Sequence, residues 1–145
     1  MSVLTILIDT NVLIDFLIDR EPFTKNAGEI IKKSQDKVIN AYLAAHSITN
    51  IFYILRKIYS VTERKQRLLD LCRIISVVNI GYELVLNALS NNDLDDVEDC
   101  LQAECANVIK ADYIVTRNIK DFSYSKVPVI LPENLLKLLE SSDLR

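Results

Sequence analysis

The apolar residues of this chain fall into short continuous runs separated by longer stretches of helical periodicity. Residues 3–8 are apolar at odd and even positions alike, except for Thr5, which is typical of a strand covered on both faces in a parallel sheet. Comparable runs follow at residues 37–44, 74–80, 113–116 and 127–131. Between them, apolar residues recur every three or four positions, as in helices with one buried face. The pattern predicts strands alternating with helices, with residues 3–8 as a central strand.

This alternation indicates an α/β fold, in which right-handed crossovers join a parallel sheet of about five strands covered by helices on both sides. A length of 145 residues corresponds to a single domain, predicted over residues 1–145. A domain of this size can bury a full hydrophobic core without stabilisation by disulfides or metals. Ser47 and Asp96 have the chemistry of helix caps. Pro128 cannot donate a ladder hydrogen bond, so the last apolar run is expected at the sheet edge.

The composition bears on the cellular compartment and on the kinds of metal site that are expected. Cys72, Cys100 and Cys105 are odd in number and lie in apolar helical contexts, as expected of buried thiols in a reducing cytosol. With one histidine, a zinc site is not expected. The first apolar run has no basic residues before it, is shorter than a membrane span and ends at Asp9, so neither a signal peptide nor a membrane anchor is predicted. We therefore expect a cytoplasmic protein.

The distribution of charge bears on nucleic-acid binding. A formal net charge of −3 argues against a passive basic clamp, although acids gathered at a metal site account for part of it and a nuclease is not excluded. One basic run comprises Arg56, Lys57, Arg64, Lys65 and Arg67. A solvated helix face is the simpler interpretation of this run, and a phosphate-binding patch is the alternative.

Polar side chains follow three of the predicted strands at the points where they end. Asp9 leaves the first strand, Asn50 lies in the first turn after the second, and Asn118 and Asp121 come just after the fourth. The carboxyl ends of parallel strands meet at one edge of a sheet, where α/β folds bind ligands. Asp9 is therefore either a helix cap or a ligand, and its own stretch of sequence leaves both interpretations open.

A second group of acids, Asp95, Asp96, Glu98 and Asp99, surrounds the start of the helix that leads to the fourth strand, and the path of the preceding turn decides whether they reach the same edge. Asp96 and Asp99 resemble a capping box. Asp99 also lies beside a face of small residues that includes Ala103 and Ala106, and an inward-leaning carboxylate there must be paired or bind a metal. Together with Asp9 and Asp121 it forms an oxygen-donor set without cysteine or histidine, which fits a hard cation such as Mg²⁺ or Mn²⁺.

Four ordered blocks of this chain resemble the PIN domain family. They are residues 8–15, with the sequence IDTNVLID, and residues 47–57, 96–102 and 111–122. In order and spacing these blocks cover nearly the whole chain. The resemblance implies a three-layer α/β/α sandwich and a metal-dependent ribonuclease, as in the VapC-type toxins of bacterial and archaeal toxin–antitoxin modules.

The resemblance also implies roles for individual residues. Asp9, Asp99 and Asp121 would be catalytic and would bind Mg²⁺ or Mn²⁺, with Asn50 and Asp96 as further metal-binding candidates. Many PIN nucleases carry Glu at the position of Asn50 and Asp at that of Asn118. Asp121, three residues after Asn118, makes good the second change, whereas Asn50 offers only a neutral oxygen. The site is therefore one formal charge poorer and should hold its metal more weakly.

The reaction expected from this resemblance is hydrolysis of phosphodiester bonds in single-stranded RNA, leaving a 5′-phosphate and a 3′-hydroxyl. Bound ions would generate hydroxide from water and stabilise the leaving oxygen. Residues expected to hold ligands or water in place, or to contact the substrate, are Asn11, Asn50, Thr116 and Asn118. Arg117 and Arg20 are candidates for contacts with the phosphate backbone.

The partners implied by the resemblance are RNA, a second copy of the chain in a homodimer, and a small antitoxin that reaches into the acidic crevice. The apolar helices around Phe52, Tyr53 and Tyr59 could supply a partner surface, although core packing is the simpler explanation. No membrane partner is expected.

Alternative functions remain at this point. The main one is a PIN fold that binds RNA or a protein without cutting, motivated by Asn50 and Asn118. Asp9 also begins a stretch close to the Asp-x-Asp-x-Thr motif of haloacid-dehalogenase phosphatases, but Asn11 occupies the second acid position and the large size and later lysine of that family are missing. A receiver-like phosphoacceptor domain needs an Asp after the third strand, where this chain has Ile80 and Gly81.

Overall fold

The structure is a computed structural model that describes residues 3–123 and 125–143, the last two of them without their side chains. The strands are β1 (Leu4–Ile8), β2 (Ile39–Ala44), β3 (Ser76–Val78), β4 (Tyr113–Val115) and β5 (Val129–Ile130). The helices are α1 (Thr10–Leu17), α2 (Thr24–Gln35), α3 (Ala45–Ile54), α4 (Val61–Ile74), α5 (Tyr82–Leu89), α6 (Val97–Val108) and α7 (Pro132–Asp143). Single 3₁₀ turns occur at Leu55–Lys57 and Ile119–Phe122.

All five strands form one parallel sheet in the order β3-β2-β1-β4-β5. The prediction of a central first strand is confirmed, because β1 pairs with β2 on one side and β4 on the other. The strand containing Pro128 is an edge strand, also as predicted. In this order β1, β2 and β4 are neighbours, so the residues that follow them emerge side by side at one edge of the sheet.

Two apolar cores cover the two faces of the sheet. Ile6 and Ile8 point into a core that includes residues of α1, α2, α3, α4 and α7. Leu7, between them, points into the opposite core, which includes residues of α5 and α6. All three side chains are completely buried, because successive residues of a strand face opposite sides. The expected three-layer α/β/α sandwich is therefore confirmed.

Several local predictions need correction. Ser47 does not cap α3, since the helix begins two residues earlier at Ala45 and the Ser47 hydroxyl makes a tertiary contact instead. The β3 strand is shorter than residues 74–80, because α4 continues to Ile74. Cys72 is exposed, because the buried side of α4 is formed by Leu68 and Leu71.

The capping prediction for Asp96 is confirmed, since its Oδ1 accepts a hydrogen bond from the Asp99 backbone N–H at 3.1 Å. The following turns of α6 bury Cys105 and Ala106 completely in the core against the sheet. Small side chains allow this close packing, which brings the beginning of α6 toward the carboxyl edge of β1. Among the described residues, no helix is both long and apolar enough to cross a bilayer.

Candidate active site

A polar cavity of about 350 Å³ opens at the carboxyl edge of the sheet. Asp9, Asp99 and Asp121, which come from three distant parts of the chain, all line it. Asn11, in the first turn of α1, and Asn50, in the middle of α3, line the same cavity. The sequence prediction that these five side chains share one site is thus met by their positions, while their roles in binding or catalysis stay predictions.

Asp9 is the central acid of this cavity. Its backbone N–H donates to the Val115 carbonyl oxygen at 2.9 Å, which ties the end of β1 to the end of β4. The residue occupies the N-cap position of α1, but its side chain makes no capping hydrogen bond. Instead, Oδ2 accepts a hydrogen bond from the buried Thr116 hydroxyl at 2.9 Å. Asp9 thus occupies the cap position without a side-chain capping bond, and it lines the cavity, which favours the ligand interpretation.

The environment of Asp9 disfavours an isolated negative charge. Burial is the largest influence and raises the pKa of Asp9 above its ordinary value, against the lowering effect of the Thr116 hydrogen bond. The negative charge of Asp121 raises this pKa further, and the positive charge of Arg117 lowers it. A cation in the cavity would relieve the cost of keeping this carboxylate ionised.

Burial and neighbouring negative charges also raise the pKa of Asp99. Its partial burial raises the pKa to about 7, and the nearby carboxylates of Asp96, Asp121, Asp9 and Glu98 contribute in that order. The mutual influence of these acids shows that their negative charges are concentrated in one place. Such a concentration is favourable only when a proton or a metal ion offsets it.

This raised pKa predicts how the stability of the metal-free protein depends on pH. Between the ordinary value of 3.8 and about 7, folded Asp99 binds a proton that the unfolded chain releases, so stability should fall as pH rises through this window. We expect the thermal midpoint in EDTA to decrease from pH 5 to pH 8, and less so in Asp99→Asn. Asp70→Asn, which removes an exposed acid on α4, should keep the wild-type profile. A profile unchanged by Asp99→Asn would contradict the prediction.

The comparison with Asp99→Asn is needed because other groups titrate in the same range. His46 is the clearest case, since burial lowers its pKa below 6.5. A depressed histidine pKa makes stability rise with pH, which is opposite in sign to the Asp99 effect. The difference between the two proteins isolates the carboxylate.

A buried hydrogen-bond network supports the floor of the cavity. The Gln102 side-chain amide Nε2 donates to the Thr10 hydroxyl at 3.0 Å and to the Ser47 hydroxyl at 3.1 Å. The two hydroxyl oxygens are themselves 2.7 Å apart. Because the three residues belong to α6, α1 and α3, the network joins the three helices that carry Asp99, Asn11 and Asn50. It therefore sets the distances between the candidate ligands.

Replacement of Gln102 by Ala should destabilise the fold by about 2 kcal/mol, because the buried Ser47 hydroxyl and the half-buried Thr10 hydroxyl lose their shared donor and a small cavity is left beside α6. The free energy of unfolding from urea titration would measure this loss. Asn107→Ala, an exposed change on the same helix, should cost no more than about 0.5 kcal/mol. A similar cost for both variants would show that the network is not stabilising.

Five residues that line the cavity have no site role predicted from sequence, namely Thr10, Ile54, Gln102, Glu98 and Tyr53. Gln102 gave only a weak signal, its position one helical turn after Asp99. Glu98 was noted among the acids of the same turn but not assigned a role, and Tyr53 was weighed only as core or partner surface. Glu98 adds a fourth carboxylate close to Asp99, and its charge offsets part of the loss represented by Asn50.

The donors in the cavity fit a divalent metal such as Mg²⁺ or Mn²⁺ by their chemistry. They are carboxylate and amide oxygens, and the neighbouring acids raise the pKa of Asp9 and Asp99, as acids do around a cation site. Within the described ranges, no three acidic, histidine or cysteine side chains converge closely enough to hold a metal by themselves. Amide oxygens and water would complete the coordination, in keeping with the waters that Mg²⁺ usually retains.

Some predicted site residues lie elsewhere or have other partners. Asp96 is exposed and caps α6, outside the cavity wall, so its effect on the site is electrostatic. Asn118 is half-buried, and its backbone N–H donates to the Thr116 hydroxyl oxygen at 3.0 Å. That bond orients the Thr116 hydroxyl, which donates its hydrogen bond to Asp9.

The arginines proposed for phosphate contacts are engaged by Asp15. The Nε and Nη2 atoms of Arg117 donate to the two carboxylate oxygens at 2.7 and 3.1 Å. Nη1 of Arg20 lies 3.6 Å from the same carboxylate. Arg117 also stacks on Phe23, with 3.9 Å between the guanidinium carbon and the ring centroid. This arrangement gives Arg117 a structural partner that the sequence analysis did not anticipate.

Comparison with solved structures identifies the architecture. A toxin–antitoxin complex from Klebsiella pneumoniae contains a chain that superposes with a TM-score of 0.66 at 19% identity, over 90% of this chain and 98% of that one. A chain of VapBC-1 from nontypeable Haemophilus influenzae gives 0.67 at 14% identity, over 90% and 99%. FitAcB from Neisseria gonorrhoeae gives 0.62 at 19% identity, over 88% and 98%. At these identities the likeness shows a shared fold.

A search of curated protein sequences found no match. A family model for the PIN domain, in contrast, matches residues 5–120, which is most of the chain and contains Asp9, Asn50 and Asp99. Asp121 lies one residue beyond the matched region. The resemblance inferred from four sequence blocks is thereby confirmed, and this chain belongs to the PIN domain family.

Proposed function

We propose that this protein is a metal-dependent endoribonuclease that hydrolyses phosphodiester bonds in single-stranded RNA. The observation that carries the proposal is the cavity that Asp9, Asp99 and Asp121 line together at the carboxyl edge of a PIN fold. Acids gathered at this edge suit metal-assisted phosphodiester hydrolysis, and the raised pKa values of Asp9 and Asp99 favour a site that receives positive charge.

In this proposal Asp9, Asp99 and Asp121 would hold Mg²⁺ or Mn²⁺, with Asn50 adding a neutral oxygen and water completing the set. Such an ion would supply positive charge for the phosphate oxygens and lower the pKa of the attacking water. Thr116 keeps the Asp9 carboxylate in one orientation through its 2.9 Å hydrogen bond. Gln102 holds α1, α3 and α6 at fixed separation, so that the ligands are positioned before substrate arrives.

We further propose that the protein is a cytoplasmic toxin controlled by a small antitoxin, and that it functions as a homodimer of single-domain chains. The antitoxin part of the proposal is supported by the structures that this chain resembles, which are a toxin–antitoxin complex and VapBC-1. An antitoxin that inserts a basic side chain among Asp9, Asp99 and Asp121 would occupy the cation position and inhibit the enzyme.

A second candidate function is binding of RNA without cleavage. Asn50 favours it, because this residue stands where many PIN nucleases have Glu and contributes no charge to the cavity. Glu98 favours the nuclease, because it lines the same cavity and restores a negative charge from a neighbouring helix. We therefore place cleavage first.

The test is cleavage of end-labelled single-stranded RNA by the purified protein with Mn²⁺, with Mg²⁺ or with EDTA. We expect products carrying a 5′-phosphate and a 3′-hydroxyl in either metal, and none in EDTA, because the proposed ion would supply the activated water. Readdition of Mn²⁺ to the EDTA-treated protein should restore cutting. Binding of the RNA without any metal-dependent product would favour the second candidate.

A further inference from the structure

The rim of the cavity carries an aromatic side chain that the proposed chemistry does not use. Tyr53 lies one turn after Asn50 on α3 and lines the same cavity as Asp9 and Asp99. Its side chain is 62% exposed, so it takes no part in the core, contrary to the simpler expectation for the aromatic residues of this helix. A large exposed ring beside a catalytic cavity is suited to stacking on a planar ligand.

The ring is held in place from one side. The guanidinium carbon of Arg56 lies 3.7 Å from the Tyr53 ring centroid. Nη1 of Arg56 donates to the Tyr53 carbonyl oxygen at 2.9 Å, which fixes the guanidinium over the ring. A guanidinium covers only one face of a ring, so the high exposure of Tyr53 leaves the other face open. Tyr53 and Arg56 therefore form a platform with an aromatic surface and a positive charge.

The segment that follows is strongly basic. Residues 52–67 contain five cations, namely Arg56, Lys57, Arg64, Lys65 and Arg67, against one acid, Glu63. In the described part of the chain, none of the five forms an ion pair with a carboxylate. Their local charge is opposite in sign to the net charge of −3 for the whole protein. On a solvated helix face, cations usually alternate with acids in the neighbouring turns. This segment has only one acid, so its charge favours binding of a polyanion.

The arginines of this segment repeat the arrangement seen at Tyr53. Arg64 stacks on Phe52 at 4.1 Å and donates from Nη1 to the Phe52 carbonyl oxygen at 2.9 Å. Arg67 stacks on Tyr59 at 3.8 Å. Stacking restricts the positions of the two guanidinium groups, while their positive charges have no carboxylate partner among the described residues. They can therefore contact phosphates with little loss of side-chain entropy.

We propose that Tyr53 and Arg56 form a nucleotide-binding subsite for single-stranded RNA, with a base stacked on the open face of the Tyr53 ring and the flanking phosphate beside the Arg56 guanidinium. The inference rests on the proposed nuclease function, and it places this nucleotide next to the position that is cleaved. The basic segment 52–67 continues the path of the strand away from the acidic cavity. A basic path is needed there because four carboxylates repel the phosphates that must approach them.

Binding is best measured apart from cleavage. We would titrate a labelled uridine oligonucleotide into Asp9→Asn protein in EDTA and follow fluorescence anisotropy. Adding Tyr53→Leu should weaken binding about tenfold, whereas Tyr53→Phe should change it by less than about twofold, because the ring supplies the stacking energy. The matched control is Tyr82→Leu, which removes an aromatic ring that is 75% exposed at the start of α5. It should leave the affinity unchanged.

A direct signal for stacking is available because the chain contains no tryptophan. Tyr53→Trp introduces a single fluorescent reporter, and we expect RNA to quench it. An inorganic polyphosphate, which carries charge without bases, should not quench it. Arg56→Gln should reduce the slope of log affinity against log salt by about 0.7, the value for one phosphate contact on a single strand.

The outcomes separate this inference from the nuclease proposal. Unchanged RNA affinity in Tyr53→Leu overturns the subsite, even if the wild type cleaves RNA. Loss of affinity in Tyr53→Leu supports the subsite, even if the wild type never cleaves. If Tyr53→Leu instead disrupts self-association in light scattering while RNA affinity stays the same, the platform is a contact between two copies of the chain and the inference is wrong.

Discussion

Asp9→Asn should reduce metal-dependent RNA cleavage by about 100-fold or more, because it removes the most buried negative charge of the proposed metal site. Asparagine has the same shape, and its oxygen can still accept the Thr116 hydrogen bond that Asp9 accepts at 2.9 Å. The fold should therefore be kept. Burial raises the pKa of Asp9, so the neutral variant should be at least as stable as the wild type in EDTA.

The measurement is the rate of cleavage under single-turnover conditions in Mn²⁺, with thermal unfolding of each protein in parallel. Asp70→Asn is the matched control, since it makes the same chemical change at an exposed position on α4 and should cleave at the wild-type rate. Equal cleavage by Asp9→Asn and wild type would contradict the assignment of Asp9. Cleavage that survives both the substitution and EDTA would identify a contaminating nuclease.

Arg117→Ala should lower the free energy of unfolding by about 3–5 kcal/mol, the largest stability effect that we expect for a single substitution in this protein. The Asp15 side chain is only 1% exposed, and Arg117 supplies both of its side-chain hydrogen bonds. Without Arg117, the carboxylate keeps only the more distant Arg20 at 3.6 Å. A buried charge that loses its partner costs far more than a surface ion pair contributes.

Urea titration would measure this loss against two reference variants. Arg73→Ala breaks an exposed pair with Asp70, in which the Arg73 side chain is 70% exposed, and should cost less than about 1 kcal/mol. The double variant Asp15→Leu/Arg117→Met replaces the buried pair by apolar side chains and should recover most of the stability lost in Arg117→Ala. If Arg117→Ala is as stable as Arg73→Ala and only RNA binding suffers, then Arg117 has the phosphate-binding role that its sequence context suggested.

The order of elements along the chain could be predicted well from local pattern. Residues 3–8 indicated a strand buried on both faces, and the helix cap at Asp96 could be inferred from the acids in its first turn. Such features depend on neighbouring residues and on the two periods of side-chain direction, so a single sequence contains them. Element ends were less accurate, as at β3, because helix and strand compete for the same apolar residues at the end of α4.

The candidate site could be predicted where a strand end placed a residue at the sheet edge and, for Asp99, from the small-residue face of its helix. Asp9 follows β1 directly, and the topology of a parallel sheet then brings Asp121 and Asn50 to the same side. Gln102 and Tyr53 could not be assigned in this way, because their roles depend on which way a helix is rotated. The rotation of a helix is decided by packing against all its neighbours, not by its own periodicity alone.

By itself, therefore, the sequence determined the alternation of strands and helices, the central position of β1 and the placement of Asp9 and Asp121 at one sheet edge, since each follows from local spacing and chain direction. Only the tertiary structure decided the partners of the polar side chains. Ser47, predicted to be a helix cap, belongs to a buried hydrogen-bond network. Arg117, predicted to contact phosphate, pairs with Asp15, which lies 102 residues away in the chain. These choices depend on which polar groups the fold removes from water, because a buried group must find a partner wherever the chain provides one.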